Sequence, residues 1–162
     1  MNGLWDDLNR LDQRIAELAR EITSMAQNDQ VAKRLQQLRG VGPMVATALV
    51  ATVGNAEQFA NGRQMYAFLR LTPKQHSSGG KDRLLRISKR GDAYLRSILI
   101  HVARSVIRTA KLKDDRLSQW VTSLAERRHP NVAAVALANK TARIAWAMLR
   151  HGTNYEPDYI AA

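Results

Sequence analysis

Seven apolar residues near the start of the chain, Leu4, Leu8, Leu11, Ile15, Leu18, Ile22 and Met25, follow one another in alternating steps of four and three. Only an α-helix brings positions spaced in this way to one side, and the mean step of ~3.5 residues makes that side a narrow seam rather than a broad face. The intervening positions are mostly Asp, Glu, Arg, Gln and Asn, so nothing else on the helix asks for burial. Two homes fit such a seam: the helix lies along its own domain, or it zips against another copy in a coiled coil. Leu4, Leu8, Leu11, Ile15, Leu18 and Ile22 are therefore the candidate oligomerisation residues.

The rest of the chain carries the same helical signal, cut by glycine and proline. Val31 to Leu38 predicts a short helix that stops at Gly40. Pro43 suits a first helical position, where its missing N–H costs nothing, and a helix is expected from Pro43 to about Val53, closed by Gly54. Asn55 to Phe59 is a connector with Phe59 in the core. Gly62 to Leu71 supplies another turn or two before Pro73. Asp92 to about Lys111 places Leu95, Ile98, Leu99, Val102 and Val106 on one face and Arg96, Arg104 and Arg108 on another. Leu117 to Arg127, with Trp120, Val121 and Leu124, predicts a further helix. Val132, Val135, Ala138, Ala142, Ala145 and Leu149 predict a last long one that ends at Gly152. No segment shows the sustained alternation of a strand. The expectation is an all-α chain: a coiled-coil or linker helix over 1–30, a compact helical domain over 31–152, and a tail over 153–162.

Charge narrows the partners. The 162 residues hold 25 Lys and Arg against 14 Asp and Glu, a formal charge of +11. That excess points to a polyanion, with nucleic acid as the first candidate and an anionic membrane surface as the second. The chain has no Cys, which excludes disulfides, thiolate zinc sites, iron–sulfur clusters and a cysteine nucleophile. The first residues, MNGLWDDLNR, lack the cationic start and apolar run of a signal peptide, and no stretch approaches the ~18 apolar residues needed to span a bilayer. A cytoplasmic, nucleoid-associated location and no membrane partner are expected.

Two motifs could carry chemistry. Leu38 to Val53, with Gly40-Val41-Gly42 at its turn, is patterned like a helix-hairpin-helix. There glycines let backbone N–H groups and a helix N-terminus reach a phosphate without reading sequence. An ordinary glycine-broken helical hairpin would look alike. The second motif is the basic stretch 73–91, where Ser77-Ser78-Gly79-Gly80 follows His76 and precedes Lys81, Arg83, Arg86, Lys89 and Arg90. A serine hydroxyl that attacks a phosphodiester needs room for an in-line approach and cations for the non-bridging oxygens, and this composition offers both. Most Ser-Gly loops are only loops and most basic runs only solvated faces, so spacing alone leaves the choice open. His76 could serve as base or phosphate contact. His101, His129 and His151 are scattered without metal-ligand spacing, and Asp82 and Asp92 lie among cations as charge balance, so no metal site and no cofactor are expected in this chain.

Taken in order, Leu38-Arg-Gly-Val-Gly-Pro43, Leu69-Arg-Leu-Thr-Pro73, His76-Ser-Ser-Gly-Gly-Lys81, Ile87-Ser-Lys-Arg-Gly-Asp-Ala-Tyr-Leu-Arg96 and Ile100-His-Val-Ala103 resemble the C-terminal transposase domain of insertion-sequence family one-ten, which includes Piv-type DNA invertases. The resemblance runs from about Leu35 to Leu149. It implies a recombinase of two parts, a RuvC-like domain with four metal-binding acidic residues and a helical domain with a catalytic serine, joined by a coiled coil through which oligomers assemble. It further implies a structured bridge RNA that pairs with donor and target DNA, and a covalent phosphoserine step before strand exchange.

Carried onto this sequence, the resemblance makes Ser78 the nucleophile, because it directly precedes Gly79, with Ser77 in reserve. Lys81, Lys89, Arg90 and Arg96 match the family's basic positions. Together with Gly40, Gly42, His76, Arg83, Arg86 and Arg104 they form the expected nucleic-acid surface. The acidic metal domain has no counterpart in these residues. Magnesium is expected only there, and the chain alone is expected to lack transposase activity. Beside this reading stand a non-catalytic helix-hairpin-helix module that binds nucleic acid, and a coiled-coil assembly fragment whose charge keeps it in solution.

Overall fold

The computed structural model describes residues 2–75, 84–87 and 92–157. The chain is all-α in class: α1 (Asn2–Asn28), α2 (Gln30–Leu35), α3 (Pro43–Val53), α4 (Gly62–Phe68), α5 (Ala93–Ala110), α6 (Arg116–Arg127) and α7 (Pro130–His151). Between α4 and α5 a minimal antiparallel ribbon intervenes, β1 (Pro73–Gln75) and β2 (Leu84–Ile87), with Pro73 opposite Ile87 and Gln75 opposite Leu84. The sequence gives no hint of strands because segments of three and four residues are too short to show an alternation.

Side-chain caps explain where most helices begin. Asp29 accepts from the backbone N–H groups of Val31 and Ala32 at 2.7 and 3.2 Å, starting α2 one residue after α1 ends. Asn61 accepts from Gln64 N–H at 3.0 Å for α4, Asp92 from Leu95 N–H at 2.8 Å for α5, and Asp115 from Ser118 N–H at 3.0 Å for α6. Each such cap is worth ~1 kcal/mol over alanine. His129 caps α7 through Nδ1, which accepts from Asn131 N–H at 3.2 Å, and Pro130 follows in the first turn. At the far end Gly152 takes the left-handed conformation and donates to the Met148 carbonyl at 3.0 Å.

The core gathers around α7, which buries Ala133, Ala134, Leu137, Ala138, Ala142, Ala145, Met148 and Leu149. Such a run of alanines lets neighbouring helices come close. At Gly62, the first residue of α4, an added Cβ would sit 3.2 Å from the Arg143 Cα of α7. Leu95, Leu99, Ala103, Val106 and Ala110 face inward from α5, while Leu35, Leu49, Met65, Leu69 and Leu71 fill the space between the shorter elements. Full burial of one such Leu stabilises the fold by ~1.5–3 kcal/mol. Trp146 donates from Nε1 to the Phe59 carbonyl at 3.1 Å, which ties α7 to the connector before α4.

Two segments behave differently from the sequence reading. The helix expected over Val31–Leu38 closes at Leu35, and the chain then turns through hydrogen bonds from Gln37 to Arg34 and from Leu38 to Leu35. The stretch after Gly152 folds back on that turn. Tyr155 donates its backbone N–H to Gln37 Oε1 at 2.8 Å and packs half-buried on the core, while Gln37 donates to Asn154 Oδ1 at 3.3 Å.

Candidate nucleic-acid interface

The two turn glycines do different work. Gly40 has φ +81°, and a Cβ there would stand 2.7 Å from Val106 Cγ2 and 2.8 Å from Val102 Cγ1 on α5. It is a packing glycine, which lets the turn press on a helix. Gly42 has φ −93° and ψ −177°, a conformation open to any residue, and nothing lies within 4 Å of where its Cβ would be. It is the N-cap of α3 and supplies no side-chain cap, Pro43 follows, and Met44 is exposed. The positive end of α3 is thus open to solvent without side-chain cover. Nothing in the fold requires glycine at this position.

Arg39, the residue before this turn, is held from α6. Its Nη1 donates to Asp115 Oδ2 at 2.9 Å and also to Ser118 Oγ, and that hydroxyl donates to the same Asp115 oxygen at 2.6 Å. Ser118 is fully buried. Its hydroxyl, then its backbone N–H and the Arg39 charge, hold the Asp115 carboxyl below the ordinary range against the opposing effect of burial. Arg39 Nη2 is buried with no hydrogen-bond partner among the described residues. The sequence reading passed over this cluster, since its members stand up to 79 residues apart and no local pattern joins them.

Arg96 and Arg104 both lie on α5, and they differ. Arg104 is exposed and donates to Asn131 Oδ1 at 3.1 Å, at the start of α7. Arg96 is half-buried, and its Nη1 is shut from solvent with no acceptor among the described residues. Such a donor costs ~1–3 kcal/mol until an acceptor reaches it. Arg70 is a third cation that the sequence reading omitted. It is exposed at φ +53°, a left-handed conformation at the exit of α4 that arginine seldom adopts, three residues before β1.

His76, Ser77, Ser78, Lys81, Arg83, Lys89 and Arg90 lie outside the described residues, and of Arg86 only the backbone, within β2, is described. The described flanks fix where the connection bearing the two serines starts and finishes: Gln75 and Leu84 are partners in the ribbon.

The seam of α1 is bare. Leu4 is 81% exposed and Ile15 64%, and Leu8, Leu11, Leu18 and Met25 are exposed too. Burial starts only near the end of the helix, with Ile22 and Thr23 half-buried and Ala26 buried against the domain. Of the two homes open to this seam, its own domain covers only the last part. The ion pairs Asp7–Arg10 at 3.0 Å and Arg14–Glu17 at 3.2 Å, each three residues apart and exposed, support the free helix modestly.

Among the described residues no three His, Asp or Glu side chains converge to hold a metal ion. His129 is engaged as a helix cap, and His151 stands edge-on to Trp146 with ring centres 5.5 Å apart. Among the described residues no helix is long and apolar enough to cross a membrane.

Comparison with known proteins puts these features in a lineage. Residues 32–118 match the model of the family described as Transposase IS116/IS110/IS902. A probable family 20 transposase of Pseudomonas aeruginosa is 51% identical over 97% of this chain and 46% of its own length. The transposase for insertion sequence element IS1111A of Coxiella burnetii is 44% identical over 96% of this chain and 43% of its own. The transposase for IS1328 of Yersinia enterocolitica is 39% identical over 88% of this chain and 43% of its own. The chain spans somewhat under half the length of these curated relatives. The matched segment holds Gly40, Gly42, Ser77, Ser78, Arg96 and Arg104.

Proposed function

The chain belongs to the IS116/IS110/IS902 transposase family, and from that premise we propose that it is the domain that supplies the nucleophilic serine for DNA strand cleavage and exchange. Ser78 Oγ attacks a backbone phosphorus. The Oγ–P bond forms, the bond from phosphorus to the leaving deoxyribose oxygen breaks, the hydroxyl proton passes to His76, and the leaving oxygen takes a proton in turn. Attack by an incoming strand's hydroxyl on the phosphoserine then restores Ser78 and joins the new strand. Ser77 is the reserve nucleophile. Lys81, Arg83, Arg86, Lys89 and Arg90 neutralise the charge spread over the phosphate oxygens.

The observation that carries this reading is Arg96 Nη1. It is enclosed, charged and without an acceptor among the described residues, on the helix that follows the serine-bearing stretch. An anionic phosphate oxygen is the acceptor such a group lacks. The open N-terminus of α3 at Gly42 gives a second, sequence-blind phosphate contact in the manner of a helix-hairpin-helix, and Arg104 adds charge on α5. Sequence choice belongs to a structured guide RNA, and copies associate along the bare seam of α1.

The test is covalent capture with the full-length protein, a nicked DNA carrying an element junction, and the matching structured RNA, read on a denaturing gel. A shifted protein–DNA band that Ser78→Ala removes and Ser77→Ala keeps is expected. A band that survives both substitutions would discard the serine mechanism. Salt-sensitive binding without any band would leave a nucleic-acid-binding module that uses Gly42 and charge alone.

A further inference from the structure

Trp120 reads in sequence as one of the apolar residues that seat α6, yet its ring reaches the surface, 38% exposed, while its neighbour Val121 is fully buried. Lys140 of α7 holds its Nζ over the ring, 5.2 Å from the centroid. That is cation–π range. Along α6 the helical step places Arg116 one turn before Trp120 and Arg127 two turns after it, and both are exposed. Lys140 over the ring, with Arg116 and Arg127 along the same side of α6, places cations beside a partly exposed indole.

From this juxtaposition we infer that the α6–α7 face, with Trp120 at its centre, is a stacking platform for an unpaired base of single-stranded nucleic acid. The inference rests on the nucleic-acid reading above and goes beyond it by naming a second contact surface and the form of strand it takes. A duplex keeps its bases stacked on one another, so an indole gains little from it. An unpaired base offers a bare π-face to the ring, while flanking phosphates meet Arg116, Arg127 and Lys140. A protein partner with an apolar patch would not call for these cations, and an acidic peptide would not call for the exposed indole.

The chain contains three tryptophans, and they can be separated. Trp5 lies on the projecting helix, and Trp146 is bonded to the Phe59 carbonyl. The difference in emission between the native chain and Trp120→Phe isolates the platform residue. The probes are a short oligothymidine strand and a hairpin duplex of equal phosphate number, with binding also followed by anisotropy of an end label. The single strand should quench Trp120 emission and the duplex should not. Trp120→Ala should weaken single-strand binding about tenfold and leave duplex binding unchanged, with Trp120→Phe in between. Lys140→Gln should lower the salt slope by about one counterion.

A single strand that binds without quenching, at an affinity indifferent to Trp120→Ala, would overturn the platform and leave the wider reading standing. Equal quenching by the duplex would overturn it too, in favour of a backbone contact. If neither probe binds, the nucleic-acid reading fails with it. Trp120→Phe keeps an aromatic ring at the site, so the difference in emission is read on a variant whose melting transition should match that of the native chain.

Discussion

Arg39 and Asp115 meet at 2.9 Å across 76 residues of sequence, and their contact fastens the turn at Gly40 to the N-cap of α6. The pair works through Ser118, whose buried hydroxyl accepts from the guanidinium and donates to the carboxylate. Asp115 is held below its ordinary pKa, so its contribution to stability is complete above that ordinary value and fades as pH falls through the lowered one. Asp115→Asn should remove this acid-side loss, giving a melting temperature that is lower near neutrality and flatter at acid pH. Thermal melts of both proteins across the acid range check it. A parallel pair of curves would show that Asp115 does not titrate on unfolding.

Gly40→Ala and Gly42→Ala should separate folding from binding. The first meets two valine methyl groups at a positive φ, so it should cost ~1–3 kcal/mol and lower the melting temperature by several degrees. The second enters open space at the N-cap of α3 and should cost at most ~1 kcal/mol. Its effect should appear in nucleic-acid affinity, measured by anisotropy at fixed salt. Equal melting temperatures for the two variants would contradict the division of labour drawn from the turn.

Arg96→Met should leave the melting temperature unchanged or raise it, since it removes a buried donor that has no acceptor among the described residues and keeps most of the side-chain volume. Nucleic-acid binding should fall by about tenfold or more, the loss of a charge-assisted bond. A variant that melts lower while binding normally would identify Arg96 as a structural residue.

Leu11→Asp combined with Leu18→Asp should dissociate any oligomer without unfolding the protomer, because both side chains are exposed there. Sedimentation of the native chain should show a species heavier than 18.2 kDa, and the double variant a monomer with the same melting transition. A native monomer at high concentration would leave the seam of α1 without its partner.

How much of this was legible in the residues follows from the range of the forces involved. Helix starts were written locally, in Asp29, Asn61, Asp92 and Asp115, because a cap acts within three residues of itself. The long core helix was legible in the spacing of Val132 through Leu149, since periodicity needs only an inside and an outside. Gly40 and Gly42 could not be told apart from sequence: what distinguishes them is the position of Val102 and Val106, sixty residues on. Nor does Trp120 announce which part of its ring stays outside. The Arg39–Ser118 cluster and the left-handed Arg70 are likewise products of tertiary placement. Ser77 and Ser78 stood out by residue type and neighbours alone, and they lie outside the described residues.

The contact between Gly62 and Arg143 involves no charge, no hydrogen bond and no reactive group, yet it bears on chemistry. Side-chain bulk at residue 62 would act as a shim between α4 and α7, since even a Cβ there would stand 3.2 Å from the Arg143 Cα. From α4 the chain reaches β1 through Leu69, Arg70, Leu71 and Thr72, with both leucines sealed in the core, so little slack exists to absorb such a shift. Misalignment would pass down that short tether to the ribbon from which the serine-bearing connection departs. In the proposed mechanism the aim of Ser78 is then set partly by a residue that contributes no side chain.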